Sequence, residues 1–325
     1  MKWLTVFCVC VGIVSAQSGA AIVGAGYYAI SPVTVAPGQV ITVFVTGVGN
    51  VTQKVTAGPT PLGNTLAGIT TNLVQGGTVT PAPILAVFPL KDCPAAGAKC
   101  ASVTAVTVEI PFELHANIVR PLQPGVFVAY LQISDTAGNT ASISLNAQLD
   151  AIHVLRPQDT VMAQDMAQAT SSATGVITHA DGTPVDTLNP GVAGEELVMY
   201  AVGLGSVKSP VATGAASPAP AVPAAGTFVL NFAYGPNLPA TPGEVLMNEW
   251  FVPAPPPFVG LTPGFVGLYQ VNFVLPPMPA GTLPCAHSLG AGANPLANVV
   301  SNFTVTLVGR TSFDGAAFCV GPSGP

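Results

Sequence analysis

Four histidines, six cysteines and fourteen acidic residues are nearly all that this chain of 325 residues offers for building a reactive centre. Their spacing is poor material for one. His115, His153, His179 and His287 form no His-x-His or His-x-x-x-His pair of the kind that holds a catalytic metal. A serine hydrolase needs Gly-x-Ser-x-Gly between a strand and a helix, and no such string occurs. Glu195 and Glu196 have the composition of an acid/base pair. On a strand, however, neighbours point to opposite faces and cannot share a substrate. Glu109 alternates with Val108 and Ile110, so all three glutamates are expected as surface charges. Ligand-type residues are concentrated in one region only: His153, Asp159, Asp165, His179, Asp181 and Asp186. An interdomain metal site and a solvated linker both account for them, and the linker requires no convergence of side chains. The expectation is no metal, no cofactor and no enzyme.

Two further groups carry chemistry of another kind. Trp250, Phe251 and Phe258 lie in the proline-rich stretch EWFVPAPPPFVGLTPGFVGLYQV, with Phe265 and Tyr269 behind them. Rigid exposed aromatics stack on sugar rings or hold a proline-rich partner, whereas buried ones plug the end of a sandwich. Trp250 and Phe251 are expected exposed, and Phe265 and Tyr269 buried. Cys93, Cys100, Cys285 and Cys319 match no zinc spacing. In an exported chain an even count reads as disulfides, with Cys93–Cys100 and Cys285–Cys319 the favoured pairing.

Export follows from the first sixteen residues. Lys2, the apolar run Trp3 to Val14 and a cleavage site at Val14-Ser15-Ala16, with small residues at −3 and −1, read as a secretory signal, with the mature chain expected from Gln17. No later segment has eighteen uninterrupted apolar residues, so no membrane span is expected in the mature chain. Charged residues are only 7% of the sequence, against roughly 25% in an average soluble domain. Apolar residues are 49%, with 35 Gly and 33 Pro. That balance excludes disorder, which needs low hydrophobicity. A net charge of −6 gives no basis for holding phosphates, which argues against nucleic acid.

The elements that must position these residues are strands. GQVITVFVTGVGN (38–50) and GEELVMYAVGLGS (194–206) overlay without a gap, and both keep a period of two. Ile41, Val43 and Val45 share one face, as do Leu197, Met199 and Ala201. GVG and GLG are not phosphate loops, because no third glycine, lysine or helix pattern follows; they read as turns. VTVEIP (106–111) aligns with VNFVLP (271–276), and TASISL (140–145) with NFTVTL (302–307). FVAYLQISDTAGNTASISLNAQL (127–149) reads as a hairpin about a plain turn, with too few hard ligands for calcium. Many short strands with frequent turn signals indicate an all-β protein of two tandem immunoglobulin-like β-sandwiches, residues 17–155 and 156–325. The second is expected to open with a hairpin at Asp181-Gly182. Residues 158–174 read as a loop or one short helix.

The motif string HADGTPVDTLNPGVAGEELVMYAVGLGSVKSPVATGAASPAP, LTPGFVGLYQVNFVLPPMPAG and VVSNFTVTL is similar to a family of C-terminal domains. These occur in many paralogous copies in secreted proteins of Solibacter-type soil Acidobacteria. The resemblance spans about residues 106 to 310, with the N-terminal half a degenerate copy. The insert carrying Cys285 departs from the family's short loop. The resemblance implies an immunoglobulin-like fold and export, and it supplies no catalytic residues. Two functions follow as expectations. The first is a non-enzymatic secreted or surface protein for adhesion, surface structure or protein contact, self-association included. The second is a polysaccharide-binding module using Trp250, Phe251 and Phe258.

Overall fold

The computed structural model describes residues 19–25, 33–49, 51–92, 101–116, 129–157, 159, 175–240, 252–285 and 298–321. The signal segment, Cys93, Cys100, Trp250, Phe251, His287 and residues 160–174 lie outside them. Every regular element described is a strand, and no helix occurs among them. Abundant β-branched residues at a period of two, cut by Gly and Pro, leave the chain little else to form.

In the first half, sheet I runs β1 (Ala21–Ala25), β3 (Val40–Thr46), β9 (Ala101–Glu109), β8 (Ile84–Asp92) and β4 (Val55–Thr56). Sheet II runs β2 (Val33–Val35), β11 (Thr140–Ala147), β10 (Ala129–Asp135) and β6 (Ile69–Gln75). Its outer edge is formed by β5 (Thr65–Leu66) and β7 (Thr78–Pro81). One apolar cluster draws Ile41, Val43, Val106 and Val108 from sheet I, and Leu73, Leu131, Ile133 and Ile143 from sheet II. The two sheets therefore pack face to face as a sandwich.

The second half repeats this order. Sheet III runs β12 (His153–Val154), β15 (Glu196–Val202), β19 (Tyr269–Val274) and β18 (Phe258–Leu261), with β13 (Ile177–His179) also on β15. Sheet IV runs β17 (Val252–Ala254), β16 (Val229–Tyr234), β20 (Phe303–Val308) and β21 (Phe313–Phe318). Beyond it β14 (Gly191–Val192) pairs in parallel with β22 (Val320–Gly321), as β2 pairs in parallel with β11. Each half is thus a pair of mainly antiparallel sheets packed as a β-sandwich. The first core is aliphatic. The second is built on rings: Phe232, Phe273, Phe303 and Phe318 pack at centroid distances of 5.1 to 6.2 Å.

Topology upholds most of the internal alignment and corrects one part. β3 and β15 hold the same place, as do β9 and β19. Gly38, Gly47, Gly49, Gly194, Gly203 and Gly205 all have positive φ, so both Gly-x-Gly strings are turns. The equivalence extends to what crowds them. A Cβ on Gly47 would sit 2.6 Å from the carbonyl oxygen of Gly19, and one on Gly203 would sit 2.1 Å from that of Ala151. Gly19 and Ala151 each lie two residues before the strand that pairs there. NFTVTL, however, is β20, which pairs β16 in the place where β10 pairs β6. TASISL is β11, so it matches the last strand, not NFTVTL. Both segments alternate alike, and a period of two cannot number strands within a sheet.

The hairpin β10–β11 forms in register from Ala129↔Leu145 to Ser134↔Thr140. Its turn is held by Asp135, which accepts from the Ala137 and Asn139 amides at 2.9 Å. The Asp181-Gly182 hairpin is also present, closed by His179 N–H to Thr183 O at 2.9 Å. Cys285 and Cys319 are joined, fastening the insert to the end of β21.

Candidate functional site

The strongest concentration of buried polar chemistry lies where the two halves meet. Strand β9 alternates as the sequence requires, with Val106 and Val108 facing the first core and Thr107 and Glu109 facing away. Facing away does not bring Glu109 to solvent: its side chain is 0% exposed. This overturns the expectation of a surface charge. Periodicity assigned the face correctly, but at this end the second half covers it. The loop 207–217 lies there, and Gly214 N–H donates to Glu109 Oε2 at 2.6 Å. Oxygen Oε1 has no partner among the described residues. Burial drives the carboxyl upward, the Gly214 hydrogen bond opposes it and the charge of Glu113 adds to it. The net effect is a pKa pushed up from 4.5 to about 7.

Around Glu109 the contact is tightly specified. Leu62 N–H donates to Gly214 O at 2.8 Å. Thr213 Oγ1 accepts from the Phe112 amide at 3.0 Å and donates to Glu113 Oε2 at 2.7 Å. Gln39 Nε2 donates to Ala151 O at 3.1 Å. An apolar patch of Val40, Leu155 and Val202 seals the seam, with Leu85, Tyr200 and Leu268 against it. Tyr269 is fully buried, as its place in the sequence predicted, and its hydroxyl donates to Gly205 O. Burial, with Glu109 nearby, holds that phenol far above its ordinary value.

A second network fastens the start of the second half. His153 Nε2 lies 2.8 Å from Asp159 Oδ2, and its Nδ1 lies 3.3 Å from Asp314 Oδ2. Arg156 Nη2 lies 2.8 Å from Asp314 Oδ1. Two cations meet two carboxylates, so these four side chains sum to no net charge. Burial works against the imidazolium, but the hydrogen bonds and charges of Asp159 and Asp314 outweigh it, and His153 is held above its ordinary pKa. Burial likewise works against the Asp314 carboxylate, and His153 and Arg156 overcome it and hold its pKa low. The rest of the acidic and histidine cluster is dispersed. His179 pairs with Glu195 at 2.5 Å, and Asp181 and Asp186 close their own turns. Asp165 lies outside the described residues. Among the described residues no three His, Cys, Asp or Glu are placed to hold a metal.

The aromatic stretch divides. Phe258 opens β18 and is half-buried on the outward face of sheet III. Phe265, expected in the core, is 55% exposed. It sits in the β18–β19 turn, whose backbone is tied to Ser217 by Ser217 N–H to Phe265 O at 2.9 Å and Gly264 N–H to Ser217 O at 2.8 Å. The turn is fixed by its backbone and so leaves the ring outside. Register completes the outward face of sheet III: Phe258, Asn272 and Val198 form one row, and Gly260, Gln270 and Tyr200 the next. Gln270 Nε2 donates to Asn272 Oδ1 at 3.1 Å, and Asn272 Nδ2 donates to Glu196 Oε1 at 2.8 Å. Sequence reading missed this face, although the alternation of Gln270 and Asn272 with Tyr269, Val271 and Phe273 contained it. The seam gave no local signal.

No protein-family model matches this chain, and no curated protein matches it at a significant level.

Proposed function

We propose that this is an exported, non-enzymatic contact protein of two tandem immunoglobulin-like sandwiches, joined near residues 148–157. It would act in adhesion, surface structure or protein–protein interaction. The observation that carries this reading is the outward face of sheet III, where Phe258, Val198, Tyr200, Gln270 and Asn272 form an ordered, half-exposed and nearly uncharged grid. Side chains already tied to one another lose little freedom on meeting a partner. The opposite half supplies a similar open face, where Tyr130, Gln132, Ser142 and Ser144 cross β10 and β11. The repeated strand order and the motif likeness to exported Solibacter-type domains support the same reading. A β-sandwich by itself licenses no function, so the surface chemistry bears the argument.

Phe258 beside two amides favours one second reading, a polysaccharide-binding module. An aromatic face stacks on a pyranose ring while amides take its hydroxyls. Trp250 and Phe251 remain part of that reading through their place in the sequence.

One experiment separates the two. Residues 17–325 are spun down with cellulose, chitin, xylan and cell-wall preparations, beside Phe258→Ala, Trp250→Ala and Gln270→Ala/Asn272→Ala variants. Sedimentation velocity over a hundredfold concentration range reports self-association. Depletion by a polymer that the variants abolish selects the polysaccharide reading. Concentration-dependent association weakened by the Gln270/Asn272 pair selects the contact reading. Loss of neither property on altering this face removes it as the functional surface.

A further inference from the structure

We propose that Glu109 is a proton-operated latch on the loop 207–217: the seam stays closed while its carboxyl carries a proton and loosens when the proton leaves. This goes beyond the contact function and does not depend on what meets the outer faces.

The geometry favours the neutral state over the ionised one. Glu109 is fully buried, with a single donor, the Gly214 amide, on Oε2 and nothing among the described residues on Oε1. A neutral carboxyl takes the Gly214 hydrogen bond on its carbonyl oxygen and leaves one O–H without an acceptor among the described residues, which costs less than burying an unpaired charge. An ionised carboxylate buried with one donor lacks most of the solvation it had in water. The elements packed around it bring no counter-charge to the carboxyl: Lys208, the one cation of the loop 207–217, is exposed, and Glu113 is the charge that acts on Glu109. Val40 lies opposite on β3, and Pro83, ahead of β8, accepts the Glu109 amide. Gly267 approaches from the β18–β19 turn. Tyr269 on β19 has its hydroxyl committed to Gly205. The remaining charge is Glu113, of the same sign, and it is engaged with Thr213 of the loop. Among the described residues no Lys, Arg or His forms an ion pair with Glu109.

The sign follows by linkage. Closed, the carboxyl keeps its proton up to about pH 7; once the loop lifts and water enters, it titrates near its ordinary 4.5. Between those values the closed form holds a proton that the open form has lost. Raising the pH therefore favours opening, by on the order of tenfold in the equilibrium constant per pH unit, and the effect levels off above 7. The hydrogen bonds released together are those of Gly214 to Leu62 and to Glu109, and of Thr213 to Phe112 and to Glu113.

The test reads the group and the loop separately, in the full mature chain. Carboxyl-labelled glutamate is followed by carbon NMR, where the Glu109 resonance is expected to titrate near neutrality. A midpoint near 4.5 overturns the proposal. Hydrogen exchange of residues 207–217, corrected for its chemical pH dependence, is then compared between wild type and Glu109→Gln. The amide variant keeps the shape and the acceptor for Gly214. Opening is expected to rise roughly fortyfold from pH 5 to pH 7 in the wild type and to stay flat in the variant. Equal responses in the two proteins overturn the latch. So does a response shared in full by the β15 strand, which would report global unfolding.

Discussion

Glu109 Oε2 and the amide nitrogen of Gly214 lie 2.6 Å apart across 105 residues of sequence, and they join the last strand residue of one sheet to a loop of the other half. A carboxyl in that place makes the seam sensitive to protons. A second buried network, around Asp314, makes the start of the second half sensitive to charge. These two places, and the turns that frame them, are where single substitutions should act most strongly.

The stability optimum should lie in mild acid. Glu109, raised from 4.5, is harmless below that value and increasingly costly up to about 7. His153, raised from 6.5, contributes fully below 6.5 and is lost as the pH climbs through its folded value. Asp314, lowered from 3.8, contributes fully above 3.8 and is lost as the pH falls through its folded value. The three windows overlap at roughly pH 4 to 5. Urea midpoints measured from pH 3 to 9 should peak there, and a maximum at pH 8 would contradict the Glu109 and His153 assignments.

Arg156→Ala should be among the most damaging single changes. It leaves Asp314 buried at 2% exposure with His153 as its remaining charged partner, and breaking such a pair costs about 3–5 kcal/mol. Chemical denaturation checks the magnitude. The double variant Arg156→Met/Asp314→Leu should recover part of the loss, because an apolar pair leaves no uncompensated charge.

Two glycines with the same backbone sign should differ sharply. Gly138 has φ +86°, and a Cβ placed on it would meet nothing within 4 Å, so Gly138→Ala costs only the left-handed conformation, about 1–2 kcal/mol. Gly203, at φ +78°, would add a Cβ 2.1 Å from the Ala151 carbonyl, so the pairing of β12 with β15 must give way as well. Thermal unfolding of the two variants side by side should place Gly203→Ala well below Gly138→Ala.

Reducing the Cys285–Cys319 bond frees a loop spanning 34 residues of sequence, which should cost about 3–4 kcal/mol through the unfolded chain. A denaturation midpoint unchanged by dithiothreitol, with thiol release confirmed, would count against that entropy assignment. Cys285→Ala should reproduce the reduced protein.

Strand faces were written in the sequence itself. Ile41, Val43 and Val45, and Leu197, Met199 and Ala201, point to their cores because a period of two admits only two faces and only one of them can be apolar. The Gly-x-Gly turns were equally legible, since positive φ is a property of the residue. The Cys285–Cys319 pair belonged to the favoured one of the three pairings that four cysteines allow, and the bond is present.

Tertiary structure alone decided which outward faces stay outside. Glu109 and Gln270 both alternate away from their cores, yet one is sealed under the loop 207–217 and the other is only partly covered. Phe265 has the apolarity of a core residue, but hydrogen bonds between its turn and Ser217 leave its ring in water. Register within a strand is local and repeats every two residues. What covers a face, and which strand lies beside which, depends on contacts more than a hundred residues apart, and no local pattern of residue types encodes that distance.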